Sequence, residues 1–195
     1  MLNGYLIGGI IVWLYALSVT NRAHLFAFYY WVGAIGAFLL TTFACHKYFV
    51  WFLASLVSRG AGVIGQLTHS FTAYPFPAAL DIQTTFGSIT LLVDYECSGI
   101  IETLAYLSLL IFFPIYTRRQ KVALSIIGVF WIYFINICRL GLIGITVHYL
   151  NLRTLFWVHN VIGRIFFYIF TILLYYQVFT HSQLVSNLLG RSKLD

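Results

Sequence analysis

Charge is what this chain has least of. Of 195 residues, 8% are charged, with only 5 Asp or Glu, while 61% are apolar or aromatic. A soluble domain usually carries about a quarter charged residues, so too few polar side chains exist here to cover a water-facing surface. Cysteine is also scarce. Cys45, Cys97 and Cys138 show neither metal-ligand nor CxxC spacing, so nothing in the sequence calls for a metal, a cofactor or a disulfide. The start of the chain has no basic n-region followed by a small-residue cleavage pattern, so its first apolar stretch is read as a retained helix. Internal repeats are missing too, and with them the usual signature of a transporter pathway.

What the chain does have is long apolar runs, several close to the roughly 20 residues an α-helix needs to cross a hydrocarbon core about 30 Å thick. A membrane β-barrel would show short alternating segments instead. The expected fold is therefore an all-α polytopic membrane protein of about five transmembrane helices, six at most. Gly4–Thr20 and Leu25–Cys45 are the first two spans. His46–Leu67 is interrupted by Lys47, Arg59, Gln66 and glycines, and reads better as an amphipathic interfacial helix than as a tilted span. Thr68–Glu96 holds Pro75, Pro77 and a β-leaning run, Ser88–Asp94, and reads as a non-helical excursion outside the hydrocarbon. Ser98–Tyr116, Val122–Tyr149 and Leu155–Phe179 complete the spans. One integral membrane domain is expected: N-terminal helices over 1–46, the interfacial helix and excursion over 47–96, a functional helical part over 97–180 and a cytoplasmic tail over 181–195.

The net charge of +6 does not indicate nucleic acid. Arg118, Arg119 and Lys121 sit in a short loop between two spans, and Arg191 and Lys193 lie at the C-terminus. Both groups fit positive-inside anchors. With the Arg118–Lys121 loop cytoplasmic, Ser98 starts its span outside, the next span ends outside, and the last begins outside.

Ionisable residues within membrane helices are costly and invite a functional reading. Arg139, in Asn136-Ile-Cys-Arg139, lies 18 residues beyond Lys121, about 27 Å along a helix axis. That is just beneath the outer edge of the core. His159 lies about one turn into the last span, and Cys97 precedes the span that Ser98 opens. The three therefore converge on one level. A thiol just before a helix N-terminus, near an arginine, favours the nucleophilic thiolate. His159 is placed to take its proton, and Arg139 to hold an oxyanion or a carboxylate. Asn136 shares the face of Arg139 and is expected to orient it. Arg164, five residues beyond His159, either pairs with Glu102, the one acidic residue deep in an apolar run, or serves the site itself. Cys45 and Cys138 read as small apolar fillers. His24, His46, His69, His148 and His181 read as interfacial, and Arg153 as solvated in a polar turn.

The order Cys97-Ser98-Gly99, Asn136-Ile137-Cys138-Arg139 and His159, with a strand-like stretch before the cysteine, resembles the exosortase/archaeosortase family over roughly residues 50 to 175. Its length is most like the compact exosortase G type of Gram-positive bacteria. The resemblance implies a membrane-embedded, sortase-like cysteine protease or transpeptidase that acts on the C-terminal sorting signal of a secreted protein, namely a short motif, a transmembrane helix and a basic tail. It implies Cys97 as nucleophile, with Arg139 and His159 completing the site. Some relatives carry Arg at the third position, which makes Arg164 the alternative there. The competing function is a non-enzymatic membrane protein that binds a lipid or sugar-carrier head group, or partners a glycosyltransferase, through Arg139 and Arg164. An ion or proton pathway through Glu102, Arg139 and Arg164 is the weaker third.

Overall fold

The computed structural model describes residues 2–44, 48–84, 87–150 and 154–181. Cys45, His46, Arg153 and the tail carrying Arg191 and Lys193 lie outside them. The chain runs through α1 (Leu2–Arg22), α2 (Phe26–Ala44), α3 (Tyr48–Thr68), β1 (Phe71–Tyr74), β2 (Ala79–Thr84), β3 (Gly87–Leu92), a 3₁₀ turn (Tyr95–Cys97), α4 (Ile100–Phe112) and α5 (Arg118–Leu150). The last helix begins as α6 (Leu155–Trp157), passes through a π-helical turn (Val158–Ile162) into α7 (Gly163–Tyr175), and ends in a second π turn (Tyr176–His181).

Four stretches are long and apolar enough to cross a membrane: Phe26–Ala44, Val50–Thr68, Arg118–Leu150 and Leu155–His181. Leu6–Arg22 and Ile100–Phe112 are shorter apolar helices. The large side chains on the outward faces, among them Trp31, Ile126, Phe130 and Ile172, are apolar and exposed, as expected where the surrounding solvent is lipid. The expected all-α polytopic membrane fold is the observed one.

Differences from the sequence reading have local causes. The basic cluster is not a loop but the first turn of α5. Thr117 caps it: Gln120 Oε1 accepts from the Thr117 N–H at 2.9 Å, and Thr117 Oγ1 accepts from the Gln120 N–H at 3.5 Å. This is a Thr-x-x-Gln capping box, which satisfies two otherwise orphaned backbone donors. At 33 residues, α5 is about 50 Å long and overreaches a hydrocarbon core of about 30 Å. By contrast, α4 stops at Phe112, because Phe113, which precedes Pro114, takes an extended backbone (ψ 123°). The ring of a proline disfavours helical geometry in the residue before it.

The excursion is a three-stranded antiparallel sheet in the order β1-β2-β3. The β-leaning run is β3. The hairpin partner and the central strand, β1 and β2, were not read from the sequence. Leu80 pairs with Leu91 and Ile82 with Ile89. Leu80 and Ile82 point inward with Phe71, against Val57 and Ala61 of α3 and Ile143 and Val147 of α5. α3 places Ala54, Val57, Ser58 and Ala61 on one buried face, the 3–4 spacing of an amphipathic helix. Its outward face carries Trp51, Phe52, Val63 and Leu67, so its composition also meets the requirement for crossing. The sheet is thus clamped between α3 and the end of α5 remote from Arg118, where His148 Nδ1 hydrogen-bonds with the Gln83 carbonyl. A second core joins Tyr106 and Leu110 of α4, Ile132 and Ile135 of α5, and Phe167 and Leu174 of α7. The Tyr106 hydroxyl donates to the Leu124 carbonyl at 2.8 Å.

Candidate active site

The two cores meet at the level of Cys97. Its thiol sits in the 3₁₀ turn between the sheet and α4, and the backbone there is held from three directions. The Cys97 N–H donates to the Asp94 carbonyl at 2.9 Å, and Ser98 Oγ donates to the Tyr95 carbonyl at 2.8 Å. From α5, Asn136 Nδ2 donates to the Cys97 carbonyl at 2.7 Å. Two residues later Gly99 forms the N-cap of α4 with φ 73°, a left-handed conformation that costs a residue with a Cβ about 1–2 kcal/mol. Glycine is thus the residue that lets the chain turn from the sheet into α4 while leaving the sulfur facing α5 and the π turn of the last helix.

Around that sulfur the structure assembles the expected side chains. Cys97 Sγ lies 3.6 Å from His159 Nε2. Arg139 Nη2 donates toward the same sulfur at 3.9 Å. Cys97 is 4% exposed and Arg139 3%, so their interaction is little screened by water. The guanidinium lies over the Phe167 ring, 5.5 Å from its centroid, a cation–π contact that favours the cation in this place. Among the described residues, Arg139 Nε is buried with no hydrogen-bond partner. Buried donors are normally paired, and an unused one beside a thiol is a feature of a binding site more than of a packed core.

Three residues 62 and 42 positions apart in sequence, on three different elements, thus share one point in space. A family model described as transmembrane exosortase (Exosortase_EpsH) matches residues 2–176. The chain belongs to the transmembrane exosortase family. No curated protein and no solved structure matches it. Membership of this exosortase family, together with the apolar helices, makes it a multi-pass membrane protein in contact with the lipid bilayer.

Other expected positions fall differently in the exosortase fold. Asn136 does not orient Arg139. Fully buried, it reaches across to the Cys97 carbonyl and ties the Cys97 turn to α5. Arg164 is half-buried just after the π turn, at the start of α7. Glu102 is half-buried in the first turn of α4, and its backbone carbonyl accepts from the Tyr175 hydroxyl at 3.3 Å. Cys138 is a half-buried thiol on α5, outside the cluster. Two contributors went unread in the sequence. Phe167 looks like any core aromatic, and nothing in its spacing marks it as the platform for a cation. The π turn that carries His159 has no compositional signature either, although such turns recur at functional sites.

Asn136→Leu is expected to lose the bond to the Cys97 carbonyl and leave that buried acceptor unsatisfied, at a cost of about 1–3 kcal/mol. The measurement is hydrogen exchange of the 94–100 amides in detergent or nanodiscs, which should quicken locally while the α4–α5–α7 core keeps its protection. Unchanged exchange in the turn would mean that Asn136 is not its tether.

Proposed function

We propose that this protein is a cysteine peptidase or transpeptidase, with Cys97 as nucleophile, His159 as general base and acid, and Arg139 as the oxyanion and thiolate partner. The site faces the extracytoplasmic side, and the substrate is a secreted protein held in the membrane by a C-terminal sorting signal. The observation that carries this reading is the convergence of Cys97 Sγ, His159 Nε2 and Arg139 Nη2 within 4 Å in a buried cluster. The basic first turn of α5 lies about 32 Å along the helix axis from Arg139. With the positive-inside rule, that separation supports an outer position for the cluster.

The chemistry follows from the geometry. His159 takes the thiol proton, and Arg139 stabilises the thiolate and then the oxyanion that forms as sulfur attacks the carbonyl carbon. When the tetrahedral intermediate collapses, the C–N bond breaks and His159 returns its proton to the departing amine, leaving a thioester on Cys97. Water or an amine then attacks the thioester, His159 again takes the proton, and the thiolate leaves. The first acceptor gives hydrolysis and the second gives transfer. Head-group binding through the arginines would not require sulfur.

The test is to express the protein in membranes with secreted reporters that end in an apolar helix and a basic tail, and to seek thioester adducts by mass spectrometry. An adduct on Cys97 that is absent from Cys97→Ser is the expected result. No adduct, with Cys97→Ser indistinguishable from wild type, would leave head-group binding as the better account.

A further inference from the structure

We infer that the free edge of β3 is the docking strand for the substrate. The extended segment just before the substrate's membrane helix adds to the sheet there, parallel to β3, and is led to Cys97. The inference deepens the proposed function, on which its choice of occupant rests.

The sheet ends on β3 at one side and on β1 at the other, and β1 lies against α3. Among the described residues, β2 is the only element that pairs with β3. The register shows which backbone groups the free edge offers. In an antiparallel ladder, hydrogen-bonded and non-bonded pairs alternate along the strand. The Val93 N–H donates to the Ala78 carbonyl at 2.8 Å, so Leu91–Leu80 and Ile89–Ile82 are the bonded pairs. Gln83, the partner of Ser88, gives its carbonyl to His148 instead. The N–H and C=O groups of Ser88, Thr90 and Leu92 therefore point away from β2, and all three residues are exposed.

Such an edge is a template for the backbone of another chain, and proteins usually guard it with Lys, Pro, a bulge or a covering element. Gly87–Leu92 reads Gly-Ser-Ile-Thr-Leu-Leu, with no charge and no proline. Donors and acceptors alternating at strand spacing match a polypeptide main chain. Neither an acyl chain nor a lipid head group repeats that pattern. Ile89 and Leu91, half-buried against the core, offer apolar contacts to every second residue of an added strand.

Position selects the occupant. Gln83, beside the start of β3, bonds to His148, which is nine residues beyond Arg139 on α5. That is about 13–14 Å outward along the helix axis. At its other end β3 runs through Leu92 into the turn that carries Cys97. The strand therefore descends from the outer side toward the thiol. A secreted protein anchored by a C-terminal helix enters from outside and descends into the bilayer, in the same direction as β3. A second copy of this chain related by two-fold symmetry would instead pair its β3 antiparallel, so strand direction separates the two occupants.

The experiment uses the Cys97→Ala protein in native membranes, so that uncleaved substrate accumulates. Benzoylphenylalanine is placed at Ser88 or Leu92 on β3, or at Thr72 on β1. The probes are secreted reporters fused to C-terminal segments of the host, each an apolar helix with a basic tail. Reporters should crosslink at Ser88 and Leu92 and not at Thr72, with the Leu92 adducts closer to the apolar helix. A proline scan of the reporter segment before its helix should lower crosslinking about tenfold at every second position, where the lost N–H faces β3. Thr90→Pro, which removes an N–H that the sheet does not use, should lower it likewise, and Thr90→Ala should not. The scan leaves the protein unaltered and keeps the test should Thr90→Pro fail to fold. Loss at every position or at none, equal capture at Thr72, adducts in the reverse order, or crosslinks only to a second copy of this chain would each overturn the inference. Reporter processing is scored separately with Cys97 intact. Processing of reporters that never crosslink at β3 would sink strand addition alone. Docking without processing would refute the peptidase reading and leave the docking strand standing.

Discussion

His159→Ala is expected to slow formation of the Cys97 thioester by about 10²–10⁴-fold, the usual contribution of a positioned general base. His159 Nε2 is 3.6 Å from the sulfur, a distance that shortens readily as the substrate closes the site, and the proton it removes is the one it must return to the leaving amine. Losing the ring should therefore affect both halves of the reaction. Single-turnover adduct formation in membranes measures the first half, and the rate of adduct decay measures the second. Alkylation of Cys97 by iodoacetamide supplies an independent readout, which should also fall because less thiolate is present. Arg164→Ala belongs in the same series. Wild-type kinetics for His159→Ala beside an inactive Arg164→Ala would give the third position of the site to Arg164.

The second large effect is expected at Arg139. Lysine keeps the charge but loses the planar fork that sits over Phe167 and also reaches the sulfur. Arg139→Lys should therefore cut turnover by about 10²–10³-fold, in the range measured when one oxyanion donor is removed. The apparent affinity for the reporter should change little, because a donor to the developing oxyanion acts in the transition state more than in the bound complex. Phe167→Leu should reproduce a milder form of the same defect by leaving the guanidinium without its platform. Normal turnover in Arg139→Lys would mean that only charge matters at this position. An equal loss of affinity and turnover would assign Arg139 to ground-state binding of a carboxylate.

Much of this was legible because lipid simplifies the code. Apolar runs mark helices, and an arginine or histidine inside one stands out, so Arg139 could be placed in depth by counting residues from Lys121, and His159 by its distance into the last span. Cys97 was legible from its place before a helix and from the motif order. The sheet was harder. Leu80 and Ile82 alternate with Asp81 and Gln83 as a half-buried strand should, but the segment is short and follows two prolines, and the eye takes it for loop. The Thr117–Gln120 capping box was present in the sequence, yet the arginines between them read as a polar loop. Asn136 was given the right face and the wrong partner, because helical spacing shows which residues are neighbours on α5 but not that the Cys97 turn would fold back against them. Phe167 could not be found at all: a cation–π contact depends on where two helices cross, and no local pattern encodes that crossing.

The π turn at Val158–Ile162 also constrains how this sequence can change. A π turn contains one residue more than the α-helical turn it replaces, and each residue of an α-helix is worth about 100° of rotation. Deleting one of Asn160, Val161 or Ile162 would restore regular geometry and would cost the local helix little. It would also turn His159 away from Cys97, or turn Phe167 and Thr171 out of their core, since α6 and α7 could no longer both keep their present facing. The stretch therefore acts as a frame counter, tolerant of many substitutions and intolerant of a change in length.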